Sequence, residues 1–530
     1  VEVTGHAYDK STGRGIAGVL VSDGYTVCKT DAQGAYTLQA DRRARTINFT
    51  VPAEYEFPLD EYGKPAFYKK VDLTSVKTTT VSIEFTPRDK VDERFTIITV
   101  ADVHVQDNDN LKRFKNECVP DIQKTIDELA ASGQAGTIIG IGLGDQLWDN
   151  LSTDLTNSVR QVYTGFKVNG TTMPFFYCIG NHDHQSGVGK TDIEATNHFV
   201  NNFSPTDYSF DIGKAHIIVV DDIDYTGSDE ASGKYNKIKY KERISGEKLH
   251  WIRQDIANVD DKENKAVVFC THSPVYNALG NSEELKRELR VFAQAHILSG
   301  HIHNMSNHFM NGYQCKDGRT IVEHNIQSLC GMWWLADLSP NGTPAGYEVF
   351  TFKGKGLYSE YNKITKESKD FQMRVYSGND VYNGKTEGAG ASPKHNDNYK
   401  WDTDYKGKFL VRIWNGDGTM TTDEEMTWKA SFVQNGKTTP MTYLKDNIVD
   451  KCSASFIVNI LGSPNGTGGN ATSITWWAID APGGDPATEK GWKIVAEHYL
   501  PSGWKQTYET TVLNRDYYGY PNGSKYPTTY

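Results

Sequence analysis

Between residues 94 and 303 the chain alternates two textures. Near-continuous apolar runs, "RFTIITVADVHV" (94–105), "TIIGIGLGD" (137–145), "PFFYCIGNHD" (174–183), "AHIIVVDD" (215–222), "KAVVFCTHSP" (265–274) and "AHILSGHIH" (295–303), read as strands. Runs without polar alternation indicate strands buried on both faces of a sheet. Between them lie helical periods. Ile122, Ile126 and Leu129 fall at i, i+4 and i+7, and Leu249, Ile252, Ile256 and Val259 share another face. Gly133 is placed to stop the first helix. Strand and helix in alternation predict an α/β layered fold.

The flanks differ. Residues 1–88 carry short alternating runs, "GVLVSDG" (18–24) and "AYTLQA" (35–40), split by turn residues such as "TDAQG" (30–34), and read as all-β. From 329 onward the chain is again strand-like and holds the tryptophans at 401, 414, 428, 476, 477, 492 and 504. Core packing of a β-rich domain is the reading preferred for them over a sugar-stacking platform, because Trp is large and mostly buried. Clusters such as "GSPNGTGGN" (462–470) read as loops. The expected domains are 1–88, 89–328 and 329–530.

Composition narrows the function classes. A chain of 530 residues is too long for one hydrophobic core. Its net charge of −11 argues against a nucleic-acid polymer as partner, because such affinity comes from Lys and Arg on phosphates. A small phosphorylated substrate needs only local positive charge or metal. No apolar run reaches the roughly 20 residues of a membrane span. The cysteines at 28, 118, 178, 270, 315, 330 and 452 form no CxxC pair, and Cys178 and Cys270 sit in apolar runs that suit buried thiols. The chain opens on Val1, which allows for a removed leader.

The chemistry lies where the runs end. "ADVH" brings Asp102 and His104, "GD" brings Asp145, "GNHD" brings Asn181, His182 and Asp183, "THSP" brings His272, and "GHIH" brings His301 and His303. In α/β sheets, functional groups gather at the carboxyl ends of strands. Imidazoles with carboxylates suit Mn, Fe or Zn, and no thiolate is among them. Seven ligands (Asp102, His104, Asp145, Asn181, His272, His301, His303) exceed what one tetrahedral ion takes and suit two divalent ions about 3.5–4 Å apart, with Asp145 as the bridge. D-x-H and H-x-H, if extended, place alternate side chains on one side.

The series DVH, GD, GNHD, TH and GHIH resembles the calcineurin-like metallophosphoesterase superfamily. The resemblance implies a four-layer α/β/β/α sandwich, here flanked by an N-terminal β-sandwich and a C-terminal β-rich domain. By motif, Asp102, His104 and His303 would hold one metal, Asn181, His272 and His301 the other, with Asp145 between them. His182 would face the substrate as the catalytic imidazole, oriented by Asp183. The N-terminal pattern "GIAGVLVSDG…TDAQGAYTL" resembles the carboxypeptidase-regulatory-like β-sandwich, and "CGMWWLADLSPNGTPAGYEVFTF" (330–352) is similar to the start of a C-terminal module in bacterial members. Many of those are exported, so the expected location is periplasmic or secreted.

The implied activity is hydrolysis of a phosphoester, with a metal-bridging hydroxide as nucleophile. A phosphodiesterase on a small substrate is the first reading. A phosphomonoesterase or pyrophosphatase on nucleotides or sugar phosphates is the alternative. A non-catalytic surface or carbohydrate-binding protein is the alternative of another class. Trp148 stands where many relatives carry an acid and purple acid phosphatases a tyrosine, so that subgroup is not expected and Asp149 receives no assigned role. His184 is read as a loop residue or substrate contact, with Trp148, Asn150 and Tyr276 as candidate pocket lining. Asp221 and Asp222 are read as structural, and His308 and His324 as loop caps or surface groups. The segment 224–243 is read as a solvated loop, or a lid supplying lysines.

Overall fold

The computed structural model describes residues 1–228, 238–379, 404–414, 416, 427–445, 448–450, 472–473 and 475–513. By packing they form two compact units: Val1–Ile302 with Met310–His324 and Val349–Glu360, and His303–Phe309 with Asn325–Glu348 and Tyr361–Tyr530.

In the first unit all six apolar runs are strands, in two sheets. Phe175–Cys178, Thr137–Leu143 and Arg94–Val100 lie side by side and parallel, with Leu143 opposite Cys178 and Ile138 opposite Thr96. Val349–Glu360 extends that sheet past Arg94–Val100. The other sheet runs Tyr208–Ile212, Ala215–Val219, Ala266–Cys270 and Gln294–Ser299, and Met310–His324 completes its edge. Ile217 stands opposite Val268, and Phe269 opposite Ile297, again in parallel. Parallel strands end on the same side, which is what gathers the motif loops.

One strand displays the layering. Phe175 stacks at 4.3 Å on Tyr163 of helix Thr153–Gly165, and Phe176 points the other way onto Phe210 of the second sheet, at 4.0 Å. Successive side chains of a strand face opposite ways, so a strand with helix on one side and sheet on the other must be apolar throughout. Helices Gly246–Asn258 and Ser282–Leu289 cover the far face of the second sheet. Leu249, Ile252, Leu285 and Leu289 pack there with Ile218, Val267 and Phe269. The order is α/β/β/α. Helix Val119–Ser132 starts with Pro120 in its first turn and ends on Gly133 at φ 65°, the left-handed stop its sequence predicts.

Residues 1–88 form two four-stranded sheets and share the core of the first unit. Phe57 meets Phe176 and Phe210 edge-on at 5.1 and 5.3 Å. The Trp251 indole N–H donates to Ser22 Oγ at 2.7 Å, and Arg45 Nη1 donates to the Ile193 carbonyl at 2.9 Å. A cavity of about 310 Å³ at this junction is lined by Asp23, Arg45, Asn48, Asp192, Asp207 and Lys248, among others, and by none of the predicted metal ligands.

The second unit has its own core between two four-stranded antiparallel sheets. Strand Trp492–Tyr499 alternates buried and half-buried residues, the pattern of a sheet with one covered face. Trp428, Trp477 and Trp492 fill that core, and Trp414 lies buried beneath the guanidinium groups of Arg374 and Arg412. These side chains are packing material, as expected; Trp504 is half-exposed, and Trp401 and loop 462–470 lie outside the described residues. Among the described residues no helix is long and apolar enough to cross a membrane.

Candidate metal centre

The strands end before their ligands begin. Strand Arg94–Val100 stops short of Asp102, and Thr137–Leu143 short of Asp145. Asp102, His104, Asp145, His301 and His303 all have left-handed backbones, with φ of 52°, 49°, 53°, 68° and 56°. The expectation of extended D-x-H and H-x-H segments is therefore corrected. The side chains converge because each loop turns sharply, at a cost of order 1–3 kcal/mol per strained residue. The motif glycines make room for this. A Cβ at Gly180 would lie 2.2 Å from Asp145 Oδ1, and one at Gly300 would lie 2.7 Å from Asp102 Oδ2.

Asp145 is the hub. Its Oδ1 accepts the His182 amide at 2.8 Å, while Oδ2 stands 3.4 Å from His104 Nε2 and 3.3 Å from His272 Nε2. His104 Nε2 is also 3.6 Å from Asp102 Oδ1, and Asp102 Oδ2 accepts the His301 amide at 2.9 Å. His272 Nε2 lies 3.1 Å from Asn181 Oδ1 and 3.1 Å from His301 Nδ1. Six of the seven predicted ligands thus meet in the first unit. His303 packs within the second unit, buried, with its ring 5.2 Å from Trp333 and Nδ1 3.2 Å from the Gly331 carbonyl.

This donor set fits a cation. His272 Nδ1 is 2.8 Å from the Leu143 carbonyl and so carries the hydrogen, leaving Nε2 as a lone pair. That lone pair faces Asp145 Oδ2, Asn181 Oδ1 and His301 Nδ1, which needs positive charge among them. The electrostatics agree. Burial opposes charge on both partners, yet the imidazolium forms of His272, His182 and His104 hold Asp145 well below the usual carboxylate range, and Asp145 holds His272 well above the usual imidazole value.

The GNHD loop differs from expectation in one respect. His182 Nδ1 pairs with Asp149 Oδ1 at 2.6 Å, so its orienting carboxylate is Asp149 and not Asp183. Asp183 is buried and accepts amide hydrogens from Gln146, Leu147 and Gly180 at 3.0–3.2 Å, clamping the GNHD loop to the GD loop. Burial, with the Asp145 charge, pushes its carboxyl up to about 7 against those three donors. The one-residue shift hid the pairing. Asp149 reaches back because its own φ is 60°. Against burial, Asp145 and Asp149 raise His182 above the ordinary imidazole value. The His182 side chain remains 27% exposed, enough to meet a substrate.

His184 lies in the loop after GNHD but is fully buried, with Nδ1 2.8 Å from the Gly180 carbonyl and Nε2 3.5 Å from Asp221, so it is neither a solvated loop group nor exposed to a substrate. His308 and His324 are buried too, against the surface reading. Asp221 pairs with Lys248 at 2.7 Å, and Asp222 accepts the amides of His272 and Ser273 at 3.1 and 2.7 Å, the structural roles foreseen. Trp148 flanks the centre, its ring 5.6 Å from His104 and 6.3 Å from His182. Asn150 instead ties its loop to the Gln106 carbonyl, and Tyr276 packs on the hydrophobic core. Segment 224–243 is a hairpin of Ile223–Ser228 and Ile238–Glu242 in its described part, and what it brings to the centre is a carboxylate: Glu242 Oε1 lies 3.0 Å from His301 Nε2. No motif marks Glu242 in the sequence.

Comparison with known proteins adds to this geometry. The family description of the N terminal of calcineurin-like phosphoesterase matches residues 1–88, that of calcineurin-like phosphoesterase matches 95–305, and that of its C terminal matches 323–453. An acid phosphatase of Aspergillus ficuum is 30% identical over 127 residues, 18% of this chain, which spans about a fifth (21%) of that protein's length. Among solved structures, purple acid phosphatase PPD1 from yellow lupin (Lupinus luteus) seeds is 14% identical, with 52% of this chain and 54% of that one covered at a TM-score of 0.33. PhoD is 10% identical, with coverage of 66% and 85% and a TM-score of 0.32. A 5′-nucleotidase from Candida albicans SC5314 is 11% identical, with coverage of 49% and 47% and a TM-score of 0.30.

Proposed function

We propose that this chain, which belongs to the calcineurin-like phosphoesterase family of metal-dependent hydrolases, is a phosphodiesterase acting on a small phosphorylated substrate. The observation that carries the reading is the position of Asp145 Oδ2, 3.4 Å from His104 Nε2 and 3.3 Å from His272 Nε2. One carboxylate oxygen between two imidazoles is the arrangement of a bridging ligand. Asp102 and His104 would serve one divalent ion (Mn, Fe or Zn), and Asn181, His272 and His301 the other. Bound there, the ions would supply Lewis acidity and lower the pKa of water.

The chain's own residues do the rest. Asp149 accepts a hydrogen bond from His182 Nδ1–H and favours the charged ring, whose Nε2–H would donate to the leaving oxygen. General acid catalysis of this kind is worth about 10²–10⁴-fold. Asp183 fixes the loop that carries His182. Trp148 walls the ring from one side. Glu242, a carboxylate beside the centre that is not among the proposed ligands, disfavours a dianionic monoester relative to a singly charged diester. The similarity to an acid phosphatase favours the second reading, a phosphomonoesterase or pyrophosphatase. A periplasmic or secreted location and the domain limits 1–88, 89–328 and 329–530 complete the proposal.

The test is hydrolysis of bis(p-nitrophenyl) phosphate beside p-nitrophenyl phosphate with added Mn²⁺, and His182→Ala as control. Diester preference lost in the variant supports the proposal. Monoester preference moves the assignment to the second reading. No turnover with no bound metal leaves a non-catalytic binding protein.

A further inference from the structure

We propose that Glu242, at the end of strand Ile238–Glu242, is the positioning residue that commits His301 to bind metal through Nδ1; this rests on the metal-dependent reading above. The argument begins with hydrogens. An ionised carboxylate such as that of Glu242 has acceptor oxygens only. At 3.0 Å from Oε1, His301 Nε2 must carry the hydrogen. A neutral imidazole then has its lone pair on Nδ1. That atom lies 3.1 Å from His272 Nε2, in the cluster with Asn181 Oδ1 and Asp145 Oδ2.

The two imidazoles reach this state by different means. His272 gives its outer hydrogen to a neutral carbonyl, that of Leu143. His301 gives its own to a carboxylate, which makes the ring a more basic ligand. The placement of Glu242 is built into the chain on both sides. The Arg243 amide donates to the Asp222 carbonyl at 2.7 Å, and the Gly280 amide donates to the Glu242 carbonyl at 2.8 Å. The Asp222 side chain in turn holds the amides of His272 and Ser273. Hairpin root, His272 loop and His301 ring are thereby one connected assembly. Two residues back on the same strand face, the Tyr240 phenol is raised by burial and by the charges of Asp145, Glu242, Asp222 and Asp149, which puts the hairpin at the border of the centre.

The experiment is a Mn²⁺ titration of the metal-stripped full chain, read as bound metal per protein, for the native sequence, Glu242→Ala and Glu242→Gln. Melting in chelator checks that each variant is folded. The native chain should take up two equivalents. In Glu242→Ala one equivalent should weaken roughly 10–100-fold while the other keeps its affinity. Glu242→Gln should fall between, because its amide oxygen still accepts a hydrogen bond but carries no charge; it carries the test alone if Glu242→Ala does not fold. Two native-like equivalents in the variants would overturn the inference and leave the hydrolase reading intact. So would equal weakening of both, the mark of a general structural role. No stoichiometric metal in the native chain would overturn both.

Discussion

His182 Nδ1 and Asp149 Oδ1 lie 2.6 Å apart. The pair joins the GNHD loop to the end of the GD loop and sets which nitrogen of the ring faces outward. Replacing His182 by Ala should lower kcat by about 10²–10⁴-fold with metal content unchanged. Asp149→Asn should cost less, because the ring survives and loses only its orientation and charge support. The double variant should be little worse than His182→Ala, since both residues act through one proton. Steady-state kinetics with metal analysis would measure this; additive losses would contradict a shared role.

Asp145 faces His104, His182 and His272 at once, so Asp145→Asn should be more damaging than either. It removes the charge that His104 and His272 both face. Metal analysis should find both equivalents weakened, in contrast to the one affected by Glu242→Ala. Retention of two tightly bound ions would contradict a bridging role.

Gly180→Ala tests the strained approach of the loops. The added methyl would sit 2.2 Å from Asp145 Oδ1 and 2.4 Å from its amide nitrogen. Neither atom can retreat without displacing the hub. Overpacking of this kind costs about 1–3 kcal/mol. Activity should fall further than stability does, as the shift lands on the ligands; comparing melting temperature with kcat separates the two.

A pH effect on stability should come from His216, far from the ligands. Both its nitrogens meet carboxylates, Asp211 at 2.6 Å and Asp255 at 2.7 Å. Burial opposes its charge, but the two acids win and raise it to about 9. A folded value above the unfolded one stabilises fully below about 6.5 and loses that contribution as pH rises through 9. The melting temperature should decline between those limits. His216→Gln should melt lower, since breaking a buried pair costs about 3–5 kcal/mol, and with a shallower slope over this range.

Removing residues 1–88 should not yield a soluble hydrolase. The cut strips Phe57 from Phe176 and Phe210, and Ser22 from the buried Trp251 indole. The exposed aromatic surface should drive aggregation, measurable as the soluble fraction on expression. A soluble, active 89–530 chain would contradict this account.

How much was legible in the chain depended on distance along it. The six strands, both helical faces and the Gly133 stop follow from local periodicity, because burial on one or two faces imposes a repeat on neighbouring residues. The ligand motifs were legible for a similar reason: each is a short block at the end of such a strand. Their left-handed backbones were not, since strain of this kind is paid for by contacts that no single segment contains. The partner of His182 was misassigned because Asp149 reaches it only through the turn after Asp145, 33 residues away along the chain. Glu242 was invisible, lying 59 residues from His301 in a hairpin whose sequence reads as a solvated loop. The burial of His184, His308 and His324 was likewise decided by packing. By itself the sequence determined the elements and the chemistry available at their ends. Which carboxylate serves which imidazole was decided only by the tertiary structure, because a hydrogen bond depends on separation in space and leaves no period in the chain.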